Sequence, residues 1–440
     1  MKILNKSLRQ YLFVMNAVGT PSRDGVPTVL LKSFWQTNAV LIALTTCLAL
    51  SMTSIGIFGP VVAKQLTQLG SSLSARSLIT MAPFVVHLLL ASVAGSFADR
   101  YGRRPLILLA FIGSVVVNVG YLFAHSVAIY VGIRFLQGVV SVGMQPAAMG
   151  ILGDMVPEHK RTHWVGIIMA GTAAGFLIGP TLGGWLFDHW GFIAAYGVAA
   201  LFNIAALLVV LKMIPETGGA STKDKYVSSD AQPLDVAQKY LPFTLRSPQW
   251  RLLVALLLLE FIMAFIMTLI EPQLMTYAYK NLLLKPTQYG LIISAFGLSS
   301  LIGQLTIGRI SRYLNRKWSI TLGFLLKSGF SFSLLFFKHA EFLLLGALLA
   351  GFGRALIGPT LSTLYLNMTS KRHHSRVIGI RESISSLGHI AGPLLAICIG
   401  PLLHAHGTFL LSGVIGVGGA LLAFIIIDKG DKEAPVATSV

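Results

Sequence analysis

Polar and apolar positions in this chain do not alternate with the period of a half-buried strand. They fall into long apolar blocks separated by short polar ones. A helix that crosses a bilayer needs about 20 mainly apolar residues. Twelve blocks reach that length, at 38–60, 77–98, 106–125, 127–151, 163–187, 192–213, 251–275, 287–308, 318–337, 341–367, 376–400 and 405–427, numbered spans 1 to 12. Six precede the polar stretch Pro215–Gln249 and six follow it; its Lys, Asp, Ser, Thr, Gly and Pro residues give it the composition of a linker. The pattern predicts an all-α integral membrane protein with twelve transmembrane helices in two six-helix pseudo-repeats. Its parts are an N-terminal tail at 1–37, a six-helix bundle at 38–213, a linker at 214–250, a second six-helix bundle at 251–427 and a C-terminal tail at 428–440.

Composition agrees. The 440 residues are 54% hydrophobic and 11% charged, whereas soluble proteins carry about 25% charged residues. The net charge of +18 at first suggests a nucleic-acid partner. Its distribution says otherwise. With both termini and the linker on one side, the opposite loops hold only Lys64, Arg76, Lys280, Lys285 and Lys338. Arg134, Lys327, Arg354 and Arg381 fall within spans, and every other Lys and Arg falls on the linker side. By the positive-inside rule that side is cytoplasmic, so the charge is a topology signal and no nucleic acid is expected. Trp35, Trp164, Trp250 and Trp318 at inner span ends, with Trp185 and Trp190 near an outer one, fit an aromatic belt. The expected location is the cell (inner or plasma) membrane, multi-pass, with both termini cytoplasmic. The basic start (Lys2, Lys6, Arg9) lacks a clean cleavage site after it and reads as a tail on the membrane surface.

Little here suggests covalent chemistry. Cys47 and Cys398 sit in apolar blocks without metal or disulfide spacing. Lys371–Arg376, "KRHHSR", is a loop charge run and not a metal site. No clustered catalytic set stands out, so neither an enzyme nor a cofactor or metal is expected, and no appended signalling domain supports a sensor or scaffold.

The two halves align at one offset of 213 residues. Gly95 maps to Gly308, Arg103 to Arg316, Arg104 to Lys317, Gly138 to Gly351, Pro146 to Pro359 and Gly166 to Gly379. Gly175, Gly179 and Pro180 map to Gly388, Gly392 and Pro393. So many gapless Gly and Pro coincidences indicate a duplicated six-helix unit, a design in which transporters place the substrate site between halves.

Three segments then carry a resemblance. "GSFADRYGRRP" (Gly95–Pro105) resembles the loop signature of the major facilitator superfamily between spans 2 and 3. "IRFLQGVVSVGMQPA" (Ile133–Ala147) resembles its span 4 motif, and "GFLIGPTLGG" (Gly175–Gly184) the span 5 motif of the twelve-span drug:proton antiporter branch. The likeness covers nearly the whole chain. It implies a cytoplasmic gate of Gly95, Asp99, Arg100, Gly102, Arg103, Arg104 and Asp154, with Asp99 at the N-terminus of span 11 and Arg103 paired with Asp154. In physical terms, Gly102 suits a turn that a side chain would resist, and a helix N-terminus favours an anion. A merely topogenic basic loop is the other reading. In the second copy Arg312 replaces Asp99 and Asn315 replaces Gly102, so that latch is degenerate.

In span 5, Gly171, Gly175, Gly179 and Gly183 recur every four residues beside Pro180 and Gly184. Such a groove admits a close helix and reads as a seam between the halves, with Pro180 as a local break; ordinary small-residue packing is the alternative. Ionisable residues inside spans are costly and functional by default. Arg134, Gln137, Ser141 and Gln145 form a polar stripe in span 4, as do Glu260, Met263, Met267 and Glu271 in span 7. Span 11 offers Glu382, Ser385, Ser386 and His389. Glu260 and Glu382, with Arg134, are the proton-coupling candidates; Gln137, Ser141, Gln145, Met263, Met267, Arg354 and His389 are cavity-lining candidates. Either acid could instead be a structural partner of Arg354 or Arg381. Lys327 has no evident role.

The expected function is proton-coupled efflux of a small amphiphilic organic molecule by alternating access, through a functional monomer whose partners are the substrate, protons and the lipid bilayer. Proton-coupled uptake of a metabolite is the alternative. Multidrug resistance is within the branch, but no span interior of the first half holds an acid. Neutral, zwitterionic or anionic metabolites, carboxylate siderophores among them, therefore fit better than cationic drugs.

Overall fold

The computed structural model describes residues 28–156, 158–216, 248–310, 313–337, 339–367 and 374–430. Most of both tails and of the linker, Arg312 and the start of the Lys371–Arg376 run lie outside the described residues, as do the surroundings of Gly95 and the side chains of Asp99 and Arg100.

Among the described residues the chain is helical, with ten apolar stretches long enough to cross a membrane. Two of these are too long to be one crossing. Trp164–Met213 has 50 residues and Ile380–Ile427 has 48, against about 20 for a bilayer core. Each is divided by one residue with non-helical backbone, Gly191 (φ 74°) and His404 (φ 52°). Spans 5 and 6 lie on either side of the first break, spans 11 and 12 on either side of the second. Glycine takes a positive φ at no steric cost, whereas His404 is held there against its Cβ.

Span 4 differs from its expected form. It runs as two helices, Val127–Ser141 and Met144–Met155. Pro146 explains this: it has no N–H for the Val142 carbonyl, and its ring crowds that carbonyl. Gln145 lies past the interruption, on a different helix from Arg134, Gln137 and Ser141, and is exposed. Pro180 also departs from expectation, since it stands inside continuous helix.

The repeat is visible in the packing. A Cβ at Gly175 would overlap the Ala49 carbonyl and lie 2.9 Å from the Met52 Cβ of span 1. In the second half, Gly388 and Gly392 meet Phe261, Ala264, Thr268 and Leu269 of span 7 in the same way.

Buried apolar side chains gather into three clusters. One joins the halves on the side away from the linker, where Phe58, Val61 and Tyr196 pack with Ile270, Tyr279 and Ile292. The other two lie on the linker side, each within its own half: Leu44, Phe111 and Ile151 in one, Leu256, Phe324 and Leu361 in the other. The halves therefore share a core on the side away from the linker, while on the linker side each closes on itself.

Candidate functional site

The corner between spans 2 and 3 is built around Gly102, whose φ of 100° and ψ of 162° suit only glycine. It precedes the helix Arg103–Leu122 and has no side chain to cap it. Glu216, just past span 6, supplies the cap. Its Oε1 accepts from the Arg103 backbone N–H at 2.9 Å, where the helix end favours an anion. A Cβ on Gly102 would fall 2.7 Å from the Glu216 carboxyl carbon. The Arg103 guanidinium donates to Asp154 and to the Gly150 carbonyl, joining the corner to span 4 as expected. Arg104 donates to the Leu211 carbonyl of span 6 at 2.8 Å. Sequence reasoning missed Glu216. The available signal was that it is the first acid after span 6, one turn beyond Lys212.

The span 5 glycines correct one expectation. Gly171, Gly175, Gly179 and Gly183 face Thr45, Ala49, Thr53, Gly56 and Ile57 of span 1, in the same half. Their groove is an intra-half seam. The contact between halves uses another face of span 5: Gly184 meets Pro286 and Thr287, and the Pro180 backbone meets Gly290 of span 8. Thr181 donates to Ser294 Oγ at 2.8 Å. At the outer end Asp188 accepts from the Thr287 N–H at 2.9 Å, capping span 8 from across the interface. The second inter-half seam pairs spans 2 and 11, where Phe84 stacks on His389 with ring centroids 4.3 Å apart.

In the first half, Arg134 donates to the Ile79 carbonyl at 3.0 Å and to Gln137 Oε1 at 2.8 Å, with its guanidinium 5.3 Å from the Phe58 ring centre. Ser141 bonds His87 of span 2 at 3.0 Å, a partner the sequence reading overlooked although it too is ionisable and inside a span. Gln137 also lines a small polar cavity with Ser51, Ser54, Asn118 and Asn203. Glu271 of span 7 lies within electrostatic reach of Arg134, so the first half's cation meets an acid from the second.

The second half concentrates charge. Glu260 is 1% exposed and forms an ion pair with Arg381 of span 11 at 3.2 Å. Arg381 also donates to Ser362 of span 10 at 3.1 Å. Lys327, from span 9, is buried and donates to the Met263 carbonyl at 2.9 Å, one turn from Glu260. Arg354 is within electrostatic reach of Glu260, Arg381 and Lys327, and 5.9 Å from the Phe296 ring centre. Glu382 is exposed and within reach of Arg381 and Glu260. His389 Nδ1 bonds the Ser385 carbonyl at 2.7 Å. Met267 is exposed. Thus Glu260, Met263, Arg354, Glu382 and His389 come together around one cluster, joined by Arg381 and Lys327. The link to Lys327 was not legible, because side-chain spacing does not say which neighbour a helix meets.

Known proteins agree with this architecture. The sequence model of the Major Facilitator Superfamily matches residues 44–283 and 256–439. A multi-drug resistance efflux pump PmrA homolog of Lactococcus lactis is 25% identical over 347 residues, 78% of this chain and 82% of its own. The quinolone resistance protein NorA of Staphylococcus aureus is 21% identical over 376 residues, 85% of this chain and 92% of its own. Among solved structures, the human organic anion transporter MFSD10 superposes with a TM-score of 0.63 at 20% identity, covering 88% of this chain and 99% of that one. With a duplicated helical unit, a gate-loop corner held by Arg103 and Asp154, and a family match over most of its length, the chain belongs to the Major Facilitator Superfamily of membrane transporters.

Proposed function

We propose that the protein is a proton-coupled exporter of small amphiphilic organic molecules, working as a single chain in the plasma membrane with both termini cytoplasmic. The names of the PmrA-type and NorA relatives support export. The observation that carries the coupling is the Glu260–Arg381 pair, buried in the second half. An unpaired charge at such depth is expensive, so the proton on Glu260 and the position of Arg381 are linked. Protonation cancels the attraction and frees a guanidinium that also holds Ser362. Span 11, which carries Arg381, also carries His389, stacked on Phe84 of the first half. A change at Glu260 therefore reaches a seam between the halves. Substrate and proton each bias the two access states only by their differential affinity for them.

The test is Glu260→Gln in vesicles with an imposed pH gradient. Glutamine imitates the protonated acid and cannot release a proton. The variant is expected to bind substrate and to exchange it across the membrane, yet to accumulate none above equilibrium. Full gradient-driven accumulation by Glu260→Gln, with loss in Glu382→Gln, would move the coupling to span 11. Retention in both would end the carboxylate mechanism.

A further inference from the structure

Four cations lie within spans at the heart of the molecule, and three of them are occupied. Arg134 is held by Ile79, Gln137 and the charge of Glu271. Arg381 is held by Glu260 and Ser362. Lys327 is held by the Met263 carbonyl. Arg354 is different. Among the described residues its guanidinium has neither a hydrogen bond nor an ion pair, only the Phe296 ring it lies over and the more distant field of Glu260, which Arg381 already neutralises. A guanidinium carries five donors.

Its neighbours belong to the second half, and one of them, His389, stacks on Phe84 of the first. Groups from spans 7, 9 and 11 act on it electrostatically and Phe296 of span 8 packs near it, yet the residue is exposed. A side chain so enclosed by neighbouring helices is reached by solvent through the opening they leave, not from lipid. The acids in this region are Glu260, Glu271 and Glu382, against Arg134, Lys327, Arg354 and Arg381. The basic side chains outnumber the acids there by one. Aromatic surface lies nearby in Phe296 and in the Phe84–His389 stack. His389 is itself within electrostatic reach of Arg354. A site with apolar walls and one well-placed polar group is how small organic ligands are oriented.

We infer that Arg354 anchors the acidic group of the substrate, so that the molecules carried are amphiphilic organic monoanions with an aromatic or apolar body. This deepens the export reading and rests on it. A cation of the same size would meet an uncompensated guanidinium and be disfavoured, whereas a carboxylate or sulfonate would satisfy its donors with charge-assisted hydrogen bonds.

Three probes with one fluorophore and different charge test the inference: dansylglycine (anion), dansylamide (neutral) and dansylcadaverine (cation). Binding to the whole protein in lipid nanodiscs, without any gradient, is followed by dansyl fluorescence. Wild type is expected to bind dansylglycine most tightly. Arg354→Gln should weaken dansylglycine by about tenfold or more, the loss of one bond to a charged group, and leave dansylamide unchanged, which also shows that the variant is folded. Arg354→Lys should recover part of the loss, and Arg354→Glu should turn the preference toward dansylcadaverine. Equal dansylglycine binding in wild type and Arg354→Gln, or a wild-type preference for dansylcadaverine, would overturn the inference. Charge preference is read without a gradient and coupling with one. Failure of the coupled-export reading, in which Glu260→Gln and Glu382→Gln both still accumulate probe, is therefore distinguishable from failure of the anion site.

Discussion

The two corners on the linker side, Gly95–Leu106 and Gly308–Ser319, align at the repeat offset and are held in different ways. In the second, Asn315 occupies the position of Gly102 and caps its own helix, accepting from the Trp318 N–H at 3.0 Å. In the first, Gly102 cannot cap, and the work passes to Glu216, distant in sequence. Arg103 reaches Asp154 of span 4, and Arg104 reaches the end of span 6. The offset that pairs the corners maps Asp154 onto Asn367 and Glu216 onto Lys429, so the second copy lacks both acids. The second corner caps its own helix and leans on span 12, where Lys317 lies 3.8 Å from the Phe424 ring centre. The other is a junction of spans 2, 3, 4 and 6 with the start of the linker, and the two should respond differently to damage.

The largest contrast is expected at the paired positions themselves. Gly102→Val forces a β-branched residue to a φ of 100° and drives its Cβ into the Glu216 carboxylate. It should cost several-fold in folded yield by fluorescence-detected size-exclusion chromatography. Asn315→Val should remain near wild-type yield, and equal losses at both sites would erase the distinction between the corners. A smaller effect is expected for Glu216→Gln, which keeps an acceptor but removes the charge at the helix end, worth about 0.3–1 kcal/mol. A lowered melting temperature that high salt brings closer to wild type would mark it as electrostatic; a salt-independent loss would point to packing instead. Asn315→Ala should cost a similar amount, about 1 kcal/mol for an N-cap. A loss of folded yield in Asn315→Ala as large as that of Gly102→Val would make the second corner as critical as the first.

Particular residues show how far the sequence could be read. The pairing of Arg103 with Asp154 came from the family likeness and holds, and the need for glycine at 102 followed from turn sterics. The helix that carries the stripe in span 4 is interrupted before Gln145, because Pro146 has no N–H for the Val142 carbonyl. The span 5 glycines were legible as a groove, but their partner was misjudged: they serve span 1 within the half, and Gly184 and Pro180 meet span 8. Lys327 had no reading at all until its reach to Met263 was visible.

By itself, then, the sequence determined the apolar spans, the expectation of their sidedness, the internal repeat and the chemistry of the Gly102 corner. Each rests on local composition, on loop charge or on spacing along one chain. Tertiary structure alone decided that Glu260 meets Arg381, that Lys327 comes in from span 9, and that Arg354 is left without a partner among the described residues. The reason is physical. In a bilayer the lipid and the protein interior are about equally apolar, so a helix that is hydrophobic all round does not announce which face meets which neighbour. That choice is made by close fit and by the few charges that must find one another, across separations such as the 121 residues between Glu260 and Arg381.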